Sequence, residues 1–440
     1  MSNFIYLVLV IVFIIVATTR LKIHPFLTLL VASLAMGFLG GLDSTTIINN
    51  LTEGFGGTLK SIGIVIALGT IIGIFLERSG GANAIAESFL KLFGQGKSPI
   101  TMSLTGFIVS IPVFCDSGFI ILSTLNRALN KRTGISLAVL SIALATGLYT
   151  THVFVPPTPG PLAAASIIGA DVGLVLMLGI FVSIPVAIVG LLWARFYCSK
   201  FTINVETSEV HTVDESSLPS VYQALLPIII PIILISIKSV VEHPAISLDE
   251  GMFRSSIVFM GHPVVALMIG VTLTLINTPV PSSIERFKWV SDGLLNCGSI
   301  ILITGAGGAF GHILRATDFS DSIGQYLIDW DIGIVLPFLI AAFLKTAQGS
   351  STVAIITTAA MIVPLLDPMG FTSPLAKSLV VLSIGSGAMT VSHLNDSYFW
   401  VVSQFSNMDT ATALRCHTLA TLFQGLAGII VISILSFILL

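Results

Sequence analysis

The sequence predicts an all-α, polytopic membrane protein built from two repeats of inverted topology, and three observations predict it. Of its 440 residues 54% are hydrophobic and only 9% charged, against about 25% charged in an average soluble domain. Its second half repeats its first: His24-Pro25 recurs 238 residues later as His262-Pro263, and Gly69, Gly73 and Leu76 recur at the same offset as Gly307, Gly311 and Leu314. Apolar segments are also interrupted by polar residues at matching places in the two halves. Weak internal symmetry with helices broken at corresponding positions marks a secondary transporter.

Taken in order, the apolar runs give spans at 4–19, 24–41, 57–77, 135–168, 172–195, 219–238, 255–278, 294–315, 375–407 and 412–440, ten crossings in all. Met1 to Ala17 has neither a basic leading region nor a cleavage site, so it reads as the first helix rather than a signal peptide. Segments 98–130 and 332–366 are too long for one span, and each is broken midway, at Phe114-Cys115-Asp116-Ser117-Gly118 and at Gln348-Gly349-Ser350-Ser351-Thr352. Both read as re-entrant hairpins, because irregular backbone at membrane depth survives only where it is buried or lines a cavity. The alternative is a pair of ordinary spans joined by a polar turn. Equivalent helices lie five crossings apart, an odd number, so the halves have opposite orientation; full spans in place of hairpins would preserve that parity. Two amphipathic pieces, 82–93 and 319–330, precede the hairpins and suit the membrane surface.

The domain division follows: a first transmembrane repeat at 1–198, a polar and acidic linker at 199–218, and a second repeat at 219–440. Thirteen of the nineteen Lys and Arg residues, Arg20, Arg78, Lys97, Arg132, Arg195 and Arg286 among them, fall on one side of this topology. The positive-inside rule puts that side in the cytoplasm, with the linker, and both termini outside. The first hairpin then opens from the cytoplasm and the second from outside.

Chemistry is expected at the two hairpin tips and two helix breaks. The breaks run from Thr150-Thr151-His152 through Pro156-Pro157-Thr158-Pro159-Gly160-Pro161, and over Ser392-His393-Leu394-Asn395-Asp396-Ser397. Proline lacks an N–H and clashes with the preceding turn, so four within six residues cannot continue a helix. Freed carbonyls and hydroxyls there can coordinate a cation or bind hydroxyl groups, and half-helix N-termini attract anions. Asp116 and Asp396 are the sharpest signals. A carboxylate in mid-membrane is costly unless paired, protonated or wet, which makes both candidates for proton or ion coupling. Either can instead hydrogen-bond freed amides and hold a break in shape.

Ser117, Thr151, His152, Thr158, Ser350, Ser351, Thr352, His393 and Asn395 are the candidate substrate contacts. The hydroxyls can equally cap half-helices, and a membrane histidine can be a packing hydrogen bond. Lys345 can attract an anion, pair with a carboxylate, or snorkel to the surface. His24 and His262 read as helix starts at the interface. The glycine runs Gly63–Gly73 and Gly305–Gly308 read as close helix-packing surfaces. No Walker or HExxH motif occurs, and Cys115, Cys198, Cys297 and Cys416 form no metal-binding or disulfide pattern, so no cofactor or metal is expected. A net charge of −3 suggests no nucleic-acid partner.

Four stretches carry a family resemblance: Pro112 to Phe119, Val155 to Gly160, Gly305 to Phe310 and Ser392 to Ser397. In that order, and over essentially the whole length, the chain resembles the gluconate:proton symporter (GntP) family. The resemblance implies inverted repeats, re-entrant hairpins and a dimer working as an elevator. It also implies import of gluconate or a related sugar acid across the bacterial inner membrane with protons. At Cys115-Asp116-Ser117-Gly118 the chain departs from many gluconate and D-serine carriers, a departure that points toward four-carbon acids such as threonate or erythronate. The expected partners are therefore a small anionic hydroxy acid, protons and the bilayer. A sodium-coupled carboxylate carrier of the same architecture is the nearer alternative. An intramembrane enzyme is the more distant one, since a catalytic site has no need of two inverted copies of one break.

Overall fold

The computed structural model describes every residue except 1–5, 7, 8, 11, 15, 18, 19, 204–217, 243–250, 281, 318–332 and 395. Among the described residues all regular structure is helical, and the order of elements repeats. Pro25–Leu39, Ser44–Arg78, the pair Ser98–Val109 and Cys115–Thr133, the pair Leu137–Phe154 and Pro159–Ile168, and Val172–Phe196 form the first series. Pro263–Asn277, Ser283–Arg315, Val335–Gln348 with Ser351–Ile362, Pro374–Met389 with Ser397–Phe405, and Leu419–Leu439 form the second. His24 and His262 open the two series alike: each side chain caps its helix, accepting from Phe26 N at 3.3 Å and Val264 N at 3.4 Å, with proline at the next position.

Among the described residues, fewer helices than the ten expected spans are individually long and apolar enough to cross. Six described helical stretches are long and apolar enough to span, seven if the pair Met252–Met260 and Pro263–Asn277, bent by 66°, counts as one. Pro25–Leu39 has only 15 residues, rising about 22 Å against a hydrocarbon core of about 30 Å. The stretch 375–407 is divided into helices of 16 and 9 residues. Hydropathy counts apolar residues and does not register where a helix stops within them. The opposite error occurs at 57–77 and 294–315, where the helices begin at Ser44 and Ser283 and run for 35 and 33 residues. Asp43 accepts from Thr45 N and Thr46 N, and Ser282 from Glu285 N, so polar caps start both helices well before their apolar parts. The amphipathic piece at 82–93 is a helix, Gly81–Phe93. Its counterpart at 319–330 lies outside the described residues, as do most of the linker and much of the first span.

Both expected hairpins are helix–turn–helix pairs whose first arms, 12 and 14 residues long, rise about 18 and 21 Å and so are too short to cross the core upright. Each first arm packs on the helix that precedes the break of its own half, at a glycine. A Cβ on Gly147 would lie 2.2 Å from Ser103 O, and one on Gly387 2.2 Å from Phe338 O. The second arms pack within their own half and also reach the other. Cys115–Thr133 packs with Ser397–Phe405 of the other half, and Ser351–Ile362 packs with Pro159–Ile168.

Helices Ser44–Arg78 and Ser283–Arg315 lie along each other and support this core. Gly54 and Gly308 let them touch, since a Cβ at Gly308 would meet Thr58 Oγ1 at 1.9 Å. Gly73 admits Pro112 O of the first hairpin turn (2.3 Å to a built Cβ), and Gly307 admits Ile356 of the second hairpin (2.5 Å). The expected packing role therefore holds for these glycines but not for Gly63, whose Cβ would meet nothing within 4 Å.

Gly147→Ala and Gly387→Ala should each cost about 1–3 kcal/mol through overpacking against rigid backbone. Gly57→Ala, in helix with open space around it, should be neutral or slightly stabilising. Thermal unfolding of the purified variants in detergent checks the contrast, and equal behaviour of all three would refute the packing account.

Candidate functional site

At the first tip, helix Ser98–Val109 ends, Ser110 Oγ donates to Val113 O at 3.1 Å, and a new helix starts at Cys115. Asp116 sits in its first turn, where a carboxylate complements the free amides and the helix dipole. Ser397 Oγ donates to Asp116 Oδ2 at 3.4 Å, while Oδ1 is buried with no hydrogen-bond partner among the described residues. At the second tip Gly349 takes the left-handed conformation, φ +84°, and Ser350 caps the arm Ser351–Ile362, accepting from Val353 N at 3.4 Å.

The two breaks differ in form. Helix Leu137–Phe154 continues through Thr150, Thr151 and His152, and the turn Val155–Thr158 separates it from Pro159–Ile168, which begins with proline at its first position. Thr151 Oγ1 donates to Phe107 O of the first hairpin at 2.8 Å, and Thr158 Oγ1 to Val155 O at 2.5 Å. His152 is buried, its ring 6.0 Å from that of Phe114, and its Nδ1 has no partner among the described residues. In the other half, Val391 adopts φ +57° just after Pro374–Met389, and Asp396 caps Ser397–Phe405 by accepting from Tyr398 N at 3.0 Å.

The second tip is fastened to both broken helices. Lys345, 1% exposed, donates from Nζ to Gly349 O at 2.7 Å and to Asp396 Oδ2 at 2.5 Å. Ser392 Oγ also donates to Asp396 Oδ2 and lies 3.1 Å from His417 Nε2. Nearby, Tyr149 OH and Ser351 Oγ are 2.6 Å apart, Tyr398 OH donates to Ala145 O at 2.9 Å, and the two tyrosine rings are 5.2 Å apart. His393 Nε2 lies 3.0 Å from Thr346 O. An ammonium and a carboxylate removed from water are tolerable together because each satisfies the other and their remaining valences find hydrogen bonds.

Most sequence-singled residues therefore meet. Asp116, Asp396, Ser351, His393 and Lys345 are joined directly or through one neighbour, and Thr151 and His152 touch the first hairpin. Ser117, Ser350 and Thr352 are half-buried on the first turns or caps of the second arms. Thr158 turns inward to close its own break, and Asn395 lies outside the described residues. Of the readings open for Lys345, pairing with a carboxylate is the one realised, and snorkelling is excluded by its burial.

Tyr149, Ser392, Tyr398 and His417 were not singled out by the sequence. His417 sits on a π-helical turn, Leu414–Thr418, inside the last apolar stretch, where a histidine among apolar residues was the available signal. Gln424 is a similar case, donating to Thr146 O at 3.1 Å and Thr150 Oγ1 at 2.8 Å. Among the described residues no group of His, Cys, Asp and Glu is arranged to hold a metal.

Comparison with known proteins places this architecture. The solved structure of the YdaH transporter of Alcanivorax borkumensis superposes with a TM-score of 0.67 over 94% of this chain and 98% of that one, at 14% identity, a likeness of fold. A gluconate permease of Pseudomonas aeruginosa is 33% identical over 100% of this chain and 99% of its own. The D-serine transporter DsdX of Escherichia coli is 31% identical over 98% of each. The family model described as GntP family permease matches residues 2–438. The chain is a multi-pass membrane transporter and belongs to the GntP permease family.

Proposed function

We propose that this chain imports a small polyhydroxylated monocarboxylate, of the gluconate, threonate or erythronate class, across the inner membrane together with protons. The observation that carries the reading is the meeting of Asp116, Asp396 and Lys345 where hairpin tips and helix breaks converge, in a wall of hydroxyl groups. Half-helix amides and an ammonium suit a carboxylate, and serine and threonine side chains suit its hydroxyls. Gluconate and D-serine, named for two relatives, share a carboxylate with a hydroxyl-bearing carbon skeleton.

In this reading Asp116 and Asp396 carry the coupling. Ser117, Thr151, His152, Thr158, Ser350, Ser351, Thr352, His393 and Asn395 provide the substrate contacts, with Thr158 acting through the turn it closes. Against sodium coupling stands the second tip, where Gly349 O, a carbonyl at the hairpin turn, already accepts from Lys345 Nζ. In the ten-crossing topology the excess of basic residues on one side supports periplasmic termini, and an elevator-type dimer is the expected assembly.

Uptake of labelled gluconate, threonate and erythronate into proteoliposomes, under an imposed pH gradient without sodium, tests the reading. Accumulation of one of them, abolished by a protonophore, is expected; uptake that requires sodium would overturn proton coupling. A second test is Asp116→Asn, which should lower gradient-driven uptake by about tenfold or more, roughly 1.4 kcal/mol of lost driving interaction, and alter its pH profile. An Asp116→Asn carrier with the wild-type pH profile would remove Asp116 from the coupling.

A further inference from the structure

Lys345 is held in a way that a merely structural cation would not need. Its Nζ has two acceptors, Gly349 O of its own hairpin and Asp396 Oδ2 of the helix break in the same half, and only the second is a charge. Asp396 Oδ2 in turn receives Ser392 Oγ, and Ser392 Oγ lies 3.1 Å from His417 Nε2. This arrangement satisfies both protonation states of Asp396. When the carboxylate is ionised, the serine hydroxyl donates to it, as observed. When it gains a proton, the new O–H can donate to Ser392 Oγ, and the serine hydrogen can turn to the imidazole Nε2. In that state the carboxyl no longer balances the ammonium, and Lys345 becomes a buried cation in need of an anion.

We propose that Lys345 is the residue that binds the substrate's carboxylate, and that it does so by exchanging Asp396 for the substrate as Asp396 takes up the coupled proton. The inference rests on the reading of the chain as a proton-coupled carboxylate carrier and names the residue pair that couples the two. The balance is simple: one proton joins Asp396, one carboxylate replaces it at Nζ, and Lys345 keeps its own proton throughout. The site's charge is unchanged, so neither ligand is stable there alone. Binding linkage then requires each to tighten the other by the same factor.

Other titratable groups face Asp396. Cys115 and Asp116 come from the first hairpin, Tyr149 and His152 from the first broken helix, Tyr398 from its own, and His417 from the last helix. The Lys345–Asp396 pair, the His393–Thr346 contact and the Tyr149–Ser351 hydrogen bond together hold the second hairpin against both broken helices.

The test is binding of radiolabelled gluconate and threonate, separately, to the purified full-length protein from pH 6 to 8, with proton uptake followed by a pH indicator. Wild type should bind one of them with a Kd rising about tenfold per pH unit for each proton coupled, and should take up a proton per carboxylate bound at pH 8. Asp396→Asn should bind tightly and lose one proton from that slope. Lys345→Gln combined with Asp396→Asn removes both buried charges and should fold, because no ion is left unpaired; it should bind more than a hundredfold more weakly at every pH.

An unchanged slope in Asp396→Asn, binding by the double variant at wild-type strength, or no proton uptake by wild type would overturn the exchange. These outcomes stay separate from failure of the functional reading, which would show as wild type binding neither acid. The proton-uptake measurement needs no variant, so the exchange remains testable whatever the variants' stability.

Discussion

The arrangement of this core depends on one requirement: an ammonium removed from water must not be left alone. Lys345 lies near the inner end of a helix arm too short to cross the core, and it is among the most buried large side chains of the described molecule. Its charge is tolerable only because the helix break in the same half delivers Asp396 to it, and removal of one partner of such a pair typically costs about 3–5 kcal/mol. That requirement fixes the second hairpin against a helix break of its own repeat, 51 residues further on. It also accounts for the interruption between helices Pro374–Met389 and Ser397–Phe405. The carboxylate must reach back to Nζ with one oxygen while the other caps the helix beginning at Ser397.

Glycine supplies the complementary constraint. Hairpin arms that do not cross the membrane need support at depth, and their backbones reach it only where a neighbouring helix has no side chain. Gly147 and Gly387 do this for the first arms, and Gly73 and Gly307 for a turn and a second arm. The device is the same in both halves, which ties the sequence repeat to a packing repeat. With the first arms bound within their own half and the second arms packed on both halves, each tip is shared between the repeats. A change of partner at one tip is therefore felt by both.

Much of this was legible in the sequence because it rests on interruption and repetition. The prolines from Pro156 to Pro161, the polar tips around Asp116 and Ser350, and the paired His24 and His262 each have one physical reading in an apolar context. The break around Asp396 was legible because polar residues interrupt an apolar run there, whereas the shortness of Pro25–Leu39 was not, since hydropathy measures composition along the chain. The long starts at Ser44 and Ser283 were missed because capping, not hydrophobicity, begins those helices. Tyr149, Ser392 and His417 escaped notice for a different reason: none stands out through a matching partner at the repeat offset, and repetition was the filter. Their roles depend on contacts between segments hundreds of residues apart, which no local pattern encodes.

Asymmetry between the two tips is what the repeat makes visible. Asp116 and Asp396 stand at related places, on a hairpin tip and a helix break joined through Ser397, yet only Asp396 has a cation. The first hairpin carries no lysine at the position of Lys345, and Asp116 keeps an oxygen without a partner. A symmetric pair of ion pairs would lock both tips with equal strength and leave nothing for a substrate to exchange. One locked tip and one carboxylate with spare hydrogen-bonding capacity give the two halves unequal tasks, the first presenting an acceptor and the second a releasable cation. An anion bearing hydroxyl groups has matching ends, a carboxylate for the cation and hydroxyl donors for the acceptor. In the proposed exchange, selectivity for hydroxy acids and the need for a proton would have a common origin in the single lysine that the repeat did not duplicate.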